Sequence, residues 1–329
     1  MAGRKVGTVT YKQDLSSILT IFRLIPEEGS AFPPSQAGQY IALRREDCKL
    51  TKKTGVGDDG KPVYAPNLDD SGQQKIGQVT HSYSIASAPW EQEEHGYLEF
   101  YVVLEVLAEA EVGRLSSVFL NLDPDTNSKI TYFDRITGSF TLDQRTAGCE
   151  SVLMVGTGTG LAPFIAMAKQ LHHEAVNGRG DGRKYTILHT NRTYPELAYH
   201  QDLLEMERAE NFDFVYVPTV SRPTQRDIDD DAVGIGRANN VLRHMFDLPM
   251  KEEEVLAAAR AGNGDLARAE AGMQRTPKPE LPSHVSVAGL RDRFDPAKTV
   301  ILTCGNPWSM ADIEATATRN HVKFEMEEW

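Results

Sequence analysis

The chain predicts two domains in series, an antiparallel β-barrel followed by a parallel-sheet α/β domain. Three observations carry this expectation. Up to about residue 146 the pattern is many short β-branched or alternating runs with one helical stretch, as in a closed antiparallel barrel. Beyond it, buried strand patterns alternate with helical ones, which implies a parallel sheet covered on both faces. The length, 329 residues, suits two domains of ordinary size. The expected bounds are 1–146 and 147–329.

In the first half, residues 6–11, 17–24 and 39–43 read as strands, punctuated by the proline-bearing stretch 26–34 and by Gly38. Residues 49–78 are polar and rich in Gly, Asp and Lys, so a long exposed loop is expected there. Strand patterns resume at 79–86 and 97–104. A short helix is expected at 115–120 and a further strand at 129–133. In the second half, 152–155, 185–190, 212–218 and 300–304 read as buried strands. Helical stretches lie at 162–175, 196–209, 238–246 and 310–319. Residues 249–284 interrupt this alternation with an Ala/Glu/Arg-rich helical segment and the proline-rich run 276–282. The segment reads as a surface insertion; its ragged charge pattern indicates a solvated helix, with a partner site as the other reading.

Composition narrows the function classes. Hydrophobic residues make up 40% and charged residues 25%, ordinary values for a globular chain. No apolar run approaches the roughly 18 residues of a membrane span. The start of the chain lacks the apolar stretch of a signal peptide, so a cytoplasmic protein is expected. Cys48, Cys149 and Cys304 form no C-x-x-C pair, no zinc pattern and no iron–sulfur spacing, and no metal is expected. A net charge of −12 argues against nonspecific nucleic-acid binding, which needs a basic surface.

The most informative stretch runs from Ser151 to Phe164. A buried strand enters Gly156, Thr157, Gly158, Thr159 and Gly160, and a helix follows. Glycines let the backbone turn tightly and approach a ligand closely. A helix N-terminus there offers N–H groups and a positive dipole end to a phosphate. Pro163 suits a first helical turn. The spacing departs from G-x-G-x-x-G, because Leu161 stands where the third glycine belongs. Two readings follow: a nucleotide pyrophosphate site, or a tight structural turn.

A family comes into view through five segments taken in order. His81-Ser82-Tyr83-Ser84 resembles the R-x-Y-S flavin motif of the ferredoxin–NADP+ reductase family. Gly113-Arg114-Leu115-Ser116 resembles that family's G-x-x-S segment beside the flavin pyrophosphate. The glycine run 156–160 resembles its nicotinamide-nucleotide loop, and Cys304-Gly305-Asn306-Pro307 its C-G-x-P segment. The chain ends on an aromatic residue, Trp329, as many members do. The resemblance extends over nearly the whole chain except 49–78 and 249–284, and is strongest to the bacterial ferredoxin or flavodoxin reductases.

The resemblance implies an FAD-binding barrel and an NADP-binding α/β domain, with ferredoxin or flavodoxin as electron partner. Tyr83 then stacks on the isoalloxazine and Ser84 lies near flavin N5, with His81, Ser82, Gly113, Leu115 and Ser116 completing the FAD site. His81 departs from the family's usual Arg and brings only partial charge at neutral pH. Gly156–Gly160, Cys304 and Gly305 are then the diphosphate and nicotinamide side of the NADP site. Arg192, Ser221, Arg222 and Arg237 are the expected ligands of the 2′-phosphate, a group that calls for arginine. Asp227, Asp229, Asp230 and Asp231 in the same loop oppose them or are solvated. Trp329 is expected to cover the flavin and move aside for hydride transfer. Which of Glu327 and Glu328, if either, reaches the pocket stays open. Arg44, Arg45, Lys49, Lys52 and Lys53 are candidate docking positions for an acidic carrier. Two alternatives stand beside this reading: the reductase component of an oxygenase or a free flavin reductase, and a non-catalytic FAD-binding electron-transfer subunit.

Overall fold

The computed structural model describes residues 3–56, 62–108, 111–112 and 114–327. The chain divides into two compact units, Met1–Ser139 and Phe140–Trp329.

The first unit contains β1 (Arg4–Ser16), β2 (Leu19–Pro26), β3 (Tyr40–Lys49), β4 (Thr51–Val56), β5 (Pro62–Pro66), β6 (Ile76–Ser84), α1 (Pro89–His95), β7 (Leu98–Val103), β8 (Val106–Ala108), β9 (Glu111–Val112), α2 (Arg114–Leu120) and β10 (Lys129–Thr137). Six of the strands form one antiparallel sheet in the order β6-β3-β10-β1-β2-β7. The sheet curls until its edges meet: just past β6, the Ala86 N–H donates to the Glu99 carbonyl of β7 at 2.8 Å. This is the expected barrel. Alternation supplies its core, with Leu98, Phe100 and Val102 of β7 inward against Phe22, Leu24 and Ile41. Phe119 of α2 closes the core, its ring 5.3 Å from that of Phe22.

More than half of the described residues in the expected long loop at 49–78 are strand. β3 runs on to Lys49, β6 starts at Ile76, and β4 pairs antiparallel with β5 between them. The hairpin satisfies its backbone by pairing while burying almost no side chain, so its composition carries no apolar face to read. Leu50 is the exception and packs on the barrel core.

The second unit contains α3 (Leu142–Arg145), β11 (Ser151–Thr157), α4 (Ala162–Val176), β12 (Lys184–Asn191), α5 (His200–Arg208), β13 (Phe214–Val220), α6 (Gln225–Asp229), β14 (Gly234–Ile235), α7 (Ala238–Met245), α8 (Lys251–Arg260), α9 (Leu266–Arg275), α10 (Val287–Arg293), β15 (Thr299–Cys304), α11 (Pro307–Arg319) and β16 (Lys323–Met326). The division between units falls a few residues before 146–147 because α3 is tied to the second unit. Arg145 donates to Glu325 at 2.9 Å, and Lys323 donates to the Arg145 carbonyl at 2.8 Å. The sheet is parallel in the order β14-β13-β12-β11-β15-β16. From β11 the chain steps outward through β12, β13 and β14, then returns to the other side of β11 as β15. The switch point therefore lies between β11 and β15, where open α/β sheets leave a crevice at the strand C-termini.

The segment 249–284 is more than a solvated helix. α8 and α9 form a helical pair, and the proline-rich run then bonds to the sheet edge. Ile235 and Glu280 exchange two backbone hydrogen bonds, both 2.8 Å. A Cβ on Gly234 would stand 2.5 Å from the Glu280 carbonyl oxygen, so glycine is required there. The insertion covers an edge strand that would otherwise present unpaired backbone.

Candidate functional site

The glycine run sits at the switch point, and each of its glycines has a different reason. Gly158 turns left-handed, φ +58°, and a Cβ there meets nothing within 4 Å. Gly160 is crowded: a Cβ would stand 2.1 Å from the Cys304 carbonyl oxygen. Gly305 has φ +127°, and its Cβ would stand 2.2 Å from Thr157 Oγ1. The loops after β11 and β15 thus cross at backbone contact. The Asn306 N–H donates to Thr157 Oγ1 at 2.8 Å and locks the crossing. Asn306 Oδ1 in turn caps α11, accepting from the Trp308 and Ser309 amides at 3.0 and 3.3 Å. The structure shows the tight turn and leaves one of its glycines open. Gly156 and Gly160 serve a tight packing turn, while Gly158 faces open space beside the N-terminus of the 15-residue α4. Thr159 lies half-buried in the same turn.

Cys304 is fully buried at the end of β15, and its thiol donates to Glu327 Oε2 at 3.3 Å. Strand register brings Glu327 to it. β16 runs parallel to β15 with Met326 beside Thr303, and the Glu327 N–H donates to the Thr303 carbonyl at 3.1 Å. Glu327 is buried at 4% exposure. Sequence reasoning left this carboxylate unassigned, because nothing local says where the last strand pairs. Glu328 and Trp329 lie outside the described residues.

The four expected phosphate ligands collect at the C-terminal ends of β12, β13 and β14. The Arg222 N–H donates to the Arg192 carbonyl at 2.8 Å, the Ser221 N–H to the Asn191 carbonyl at 2.9 Å, and the Gly236 N–H to the Val220 carbonyl at 2.8 Å. Arg237 follows at the head of α7. Their charges are not equally available. Arg192 Nε donates to Glu196 at 2.7 Å, and its second nitrogen bonds the other oxygen of that carboxylate. Arg237 donates to Glu252 at 2.9 Å. Arg222 is exposed and makes no side-chain ion pair with the described residues. The neighbouring aspartates are partly engaged as well. Asp227 is buried and caps α6 through the Thr224 N–H at 2.9 Å, while Arg226 bonds Asp230 at 3.1 Å and lies over the Tyr194 ring.

Between these two regions, His189 of β12 and His200 at the start of α5 form a buried imidazole pair that no sequence signal announced. His189 and His200 both point Nδ1 at the Tyr216 hydroxyl, 3.3 Å from each. Burial drives His189 down to about 3 and His200 down to about 4, so both rings are neutral near pH 7.

In the first unit, His81, Ser82, Tyr83 and Ser84 lie together on β6 as expected. His81 and Ser82 are exposed, Tyr83 is half-buried and Ser84 is buried. Tyr83 packs one side on Phe119 with centroids 5.2 Å apart, and burial raises its phenol well above the usual range. The His81 imidazole is pushed below its ordinary value, first by loss of solvent around the ring and then by the Arg114 charge, against a smaller opposing pull from Glu105. Leu115 is core. Ser116 is the third residue of α2, and its hydroxyl accepts the Glu105 N–H at 3.0 Å, so that oxygen is already committed to the loop. Gly113 lies outside the described residues. Two of the five candidate docking cations are consumed: Arg44 is buried and bonds Glu46 and Gln78, and Arg45 grips Asp47 with two bonds. Lys49, Lys52 and Lys53 are exposed. Among the described residues no group of three or more His, Cys, Asp or Glu could hold a metal ion, and no helix is long and apolar enough to cross a membrane.

Comparison with known proteins agrees with this geometry. Residues 154–269 match the family described as Oxidoreductase NAD-binding domain. A flavodoxin/ferredoxin--NADP reductase of Buchnera aphidicola is 28% identical over 141 residues. That match spans 42% of this chain and 49% of the relative, about half its length. Among solved structures, a ferredoxin NADP+ reductase from Neisseria gonorrhoeae with bound FAD and NADP superposes with a TM-score of 0.56 at 18% identity, over 99% of both chains. The cytochrome b5 reductase domain of Ulva prolifera nitrate reductase gives 0.58 at 14% identity, over 99% of this chain and 97% of that one. The chain therefore has a two-unit fold like that of the solved ferredoxin NADP+ reductase, and the match to the oxidoreductase NAD-binding family falls within its second unit.

Proposed function

We propose that this protein is an FAD-dependent oxidoreductase that exchanges hydride between NADP(H) and FAD, and single electrons with ferredoxin or flavodoxin. The observation that carries the reading is the crossing at the switch point. There Gly158 opens the head of α4, and Gly160 and Gly305 bring the buried Cys304–Glu327 pair beside it. The flavin, when bound, supplies a two-electron acceptor that can release electrons singly. The protein's part is to bind, orient and exclude water. The head of α4 receives the nicotinamide nucleotide's diphosphate. Cys304, its thiol donating to Glu327, presents a compact, dry wall to the nicotinamide. The exposed Arg222, with Arg237 and Arg192, receives the 2′-phosphate. Tyr83, backed by Phe119, offers its outer face to the isoalloxazine.

The residues of β6 and α2 fit a flavin diphosphate in an altered way. With the His81 imidazole pushed below its ordinary value, Arg114 is the fixed cation of that site, in place of the charge the family usually has at position 81. Arg114→Ala should therefore loosen FAD retention more than His81→Ala, as measured by flavin released on gel filtration. The reverse order would remove Arg114 from the site.

The test of the whole reading is the visible spectrum of the purified protein loaded with FAD. It should bleach with NADPH faster than with NADH, and the reduced form should pass electrons to added ferredoxin or flavodoxin. Transfer to free flavin alone would favour the flavin-reductase alternative. Binding of FAD without bleaching would favour a non-catalytic electron-transfer subunit. Arg222→Ala with Arg237→Ala should raise the KM for NADPH about tenfold or more, one charge-assisted contact being worth about 1.5–3 kcal/mol. The KM for NADH should stay put; equal loss for both nucleotides would sink the NADP assignment.

A further inference from the structure

Glu252 belongs to the inserted helix α8, yet its carboxylate sits at the arginine edge. Oε1 accepts from Arg237 at 2.9 Å and from the Thr276 hydroxyl at 3.2 Å. Oε2 accepts from Asn240 Nδ2 at 2.7 Å. Three donors from two segments, the head of α7 and the end of α9, therefore fix one carboxylate, and its side chain is only 14% exposed beside an Arg237 that is 51% exposed.

The helix that carries it cannot swing freely. Arg243, 1% exposed, grips Asp312 with two bonds of 2.7 Å and reaches Glu254 of α8 at 3.0 Å and the Pro249 carbonyl at 2.9 Å. Arg319 holds the other oxygen of Glu254 at 2.6 Å. The Lys251 N–H donates to Asn240 Oδ1 at 2.9 Å, which ties the start of α8 to the residue that also steadies Glu252. Glu254 is held down to about 2 by its arginine bonds, so this clamp stays charged through the working range of pH.

We infer that Glu252 is a specificity-determining residue: a carboxylate fixed by the insertion that offsets the charge of Arg237 and so moderates the affinity of the strand-end arginines for a 2′-phosphate. The inference rests on the NADP reading above. Arg237 is held beside Ser221 and Arg222 by the Gly236–Val220 bond, so a dianion recognised there feels Arg222 in full and Arg237 only against Glu252. The arrangement lowers discrimination between the phosphorylated and unphosphorylated nucleotide without removing it. It also gives the insertion a role at the site beyond covering β14.

The experiment is calorimetric titration of the full chain with adenosine 2′,5′-bisphosphate and with 5′-AMP. The proteins are the wild type, Glu252→Gln, Arg237→Ala and the double variant. Glu252→Gln keeps the shape and the Asn240 bond while removing the charge. It should tighten the bisphosphate about two- to fivefold, the range of a partly exposed ion pair, and leave 5′-AMP unchanged. The gain should vanish in the Arg237→Ala background and shrink at high salt. Unchanged or weaker bisphosphate binding by Glu252→Gln, with Arg237→Ala still weakening it, would overturn the inference alone and make Glu252 an orienting partner of Arg237. Failure of the wild type to prefer the bisphosphate, with no effect of Arg237→Ala, would overturn the NADP reading itself and the inference with it.

Discussion

The switch-point crossing and the arginine edge lie at the same end of one sheet, yet different forces build them. At the crossing, two backbones touch, and the required residue is set by volume: no side chain fits between Gly160 and the Cys304 carbonyl. At the edge, three arginines stand on adjacent strand ends, and what matters is which of them already has a counter-charge. Glu196 holds Arg192, Glu252 holds Arg237, and Arg222 is left exposed. The first region is rigid by sterics and indifferent to salt. The second is adjustable by single charges and sensitive to it. A site built this way can keep its backbone geometry constant while its affinity for an anion is tuned by single charges.

The steric half of that contrast is the easiest to break. Gly160→Ala should destabilise the protein by at least about 3 kcal/mol, since backbone atoms on both sides cannot give way as side chains do. Urea denaturation measures this; a near-wild-type midpoint would mean that the crossing is not a rigid contact. The histidine pair of β12 and α5 supplies the next effect. His189 and His200 are neutral when folded and take up protons when unfolded. Their contribution is complete above about pH 6.5 and is lost as pH falls from there toward the folded values of about 3 and about 4. For the fully buried His189 the slope approaches about 1.4 kcal/mol per pH unit within that window. Denaturation between pH 7 and 4.5 should show it, and His189→Gln should flatten the profile; an unchanged profile would remove the pair as its cause. Gly158→Ala should have the smallest effect on stability, about 1 kcal/mol, because only its left-handed turn and no contact opposes a side chain. A loss as large as that of Gly160→Ala would erase the distinction between the two glycines.

Much of this was legible in advance because local geometry repeats. Strand alternation and helical period report which face of an element is buried, whatever lies opposite. Hence the barrel, the alternating second half and the glycine turn before α4 could all be read from residues 6–320. The insertions were harder for the same reason. The hairpin of β4 and β5 has no buried face, so its period carries no signal, and α8 buries only Ala259 while making its decisive contacts through glutamates.

The sequence by itself determined the order of the elements, the strand–glycine–helix turn at 156–160, and the presence of arginines after successive strands. Tertiary structure alone decided the partners. Parallel register with β15 brought Glu327 to Cys304, and strand order brought Gly305 against Thr157. The fold of an insertion set Glu252 on Arg237, and the packing of α2 on β6 put the Arg114 charge near His81. Residue types state which bonds and charges a chain can offer; only register and strand order, which join residues far apart in sequence, state which of them meet.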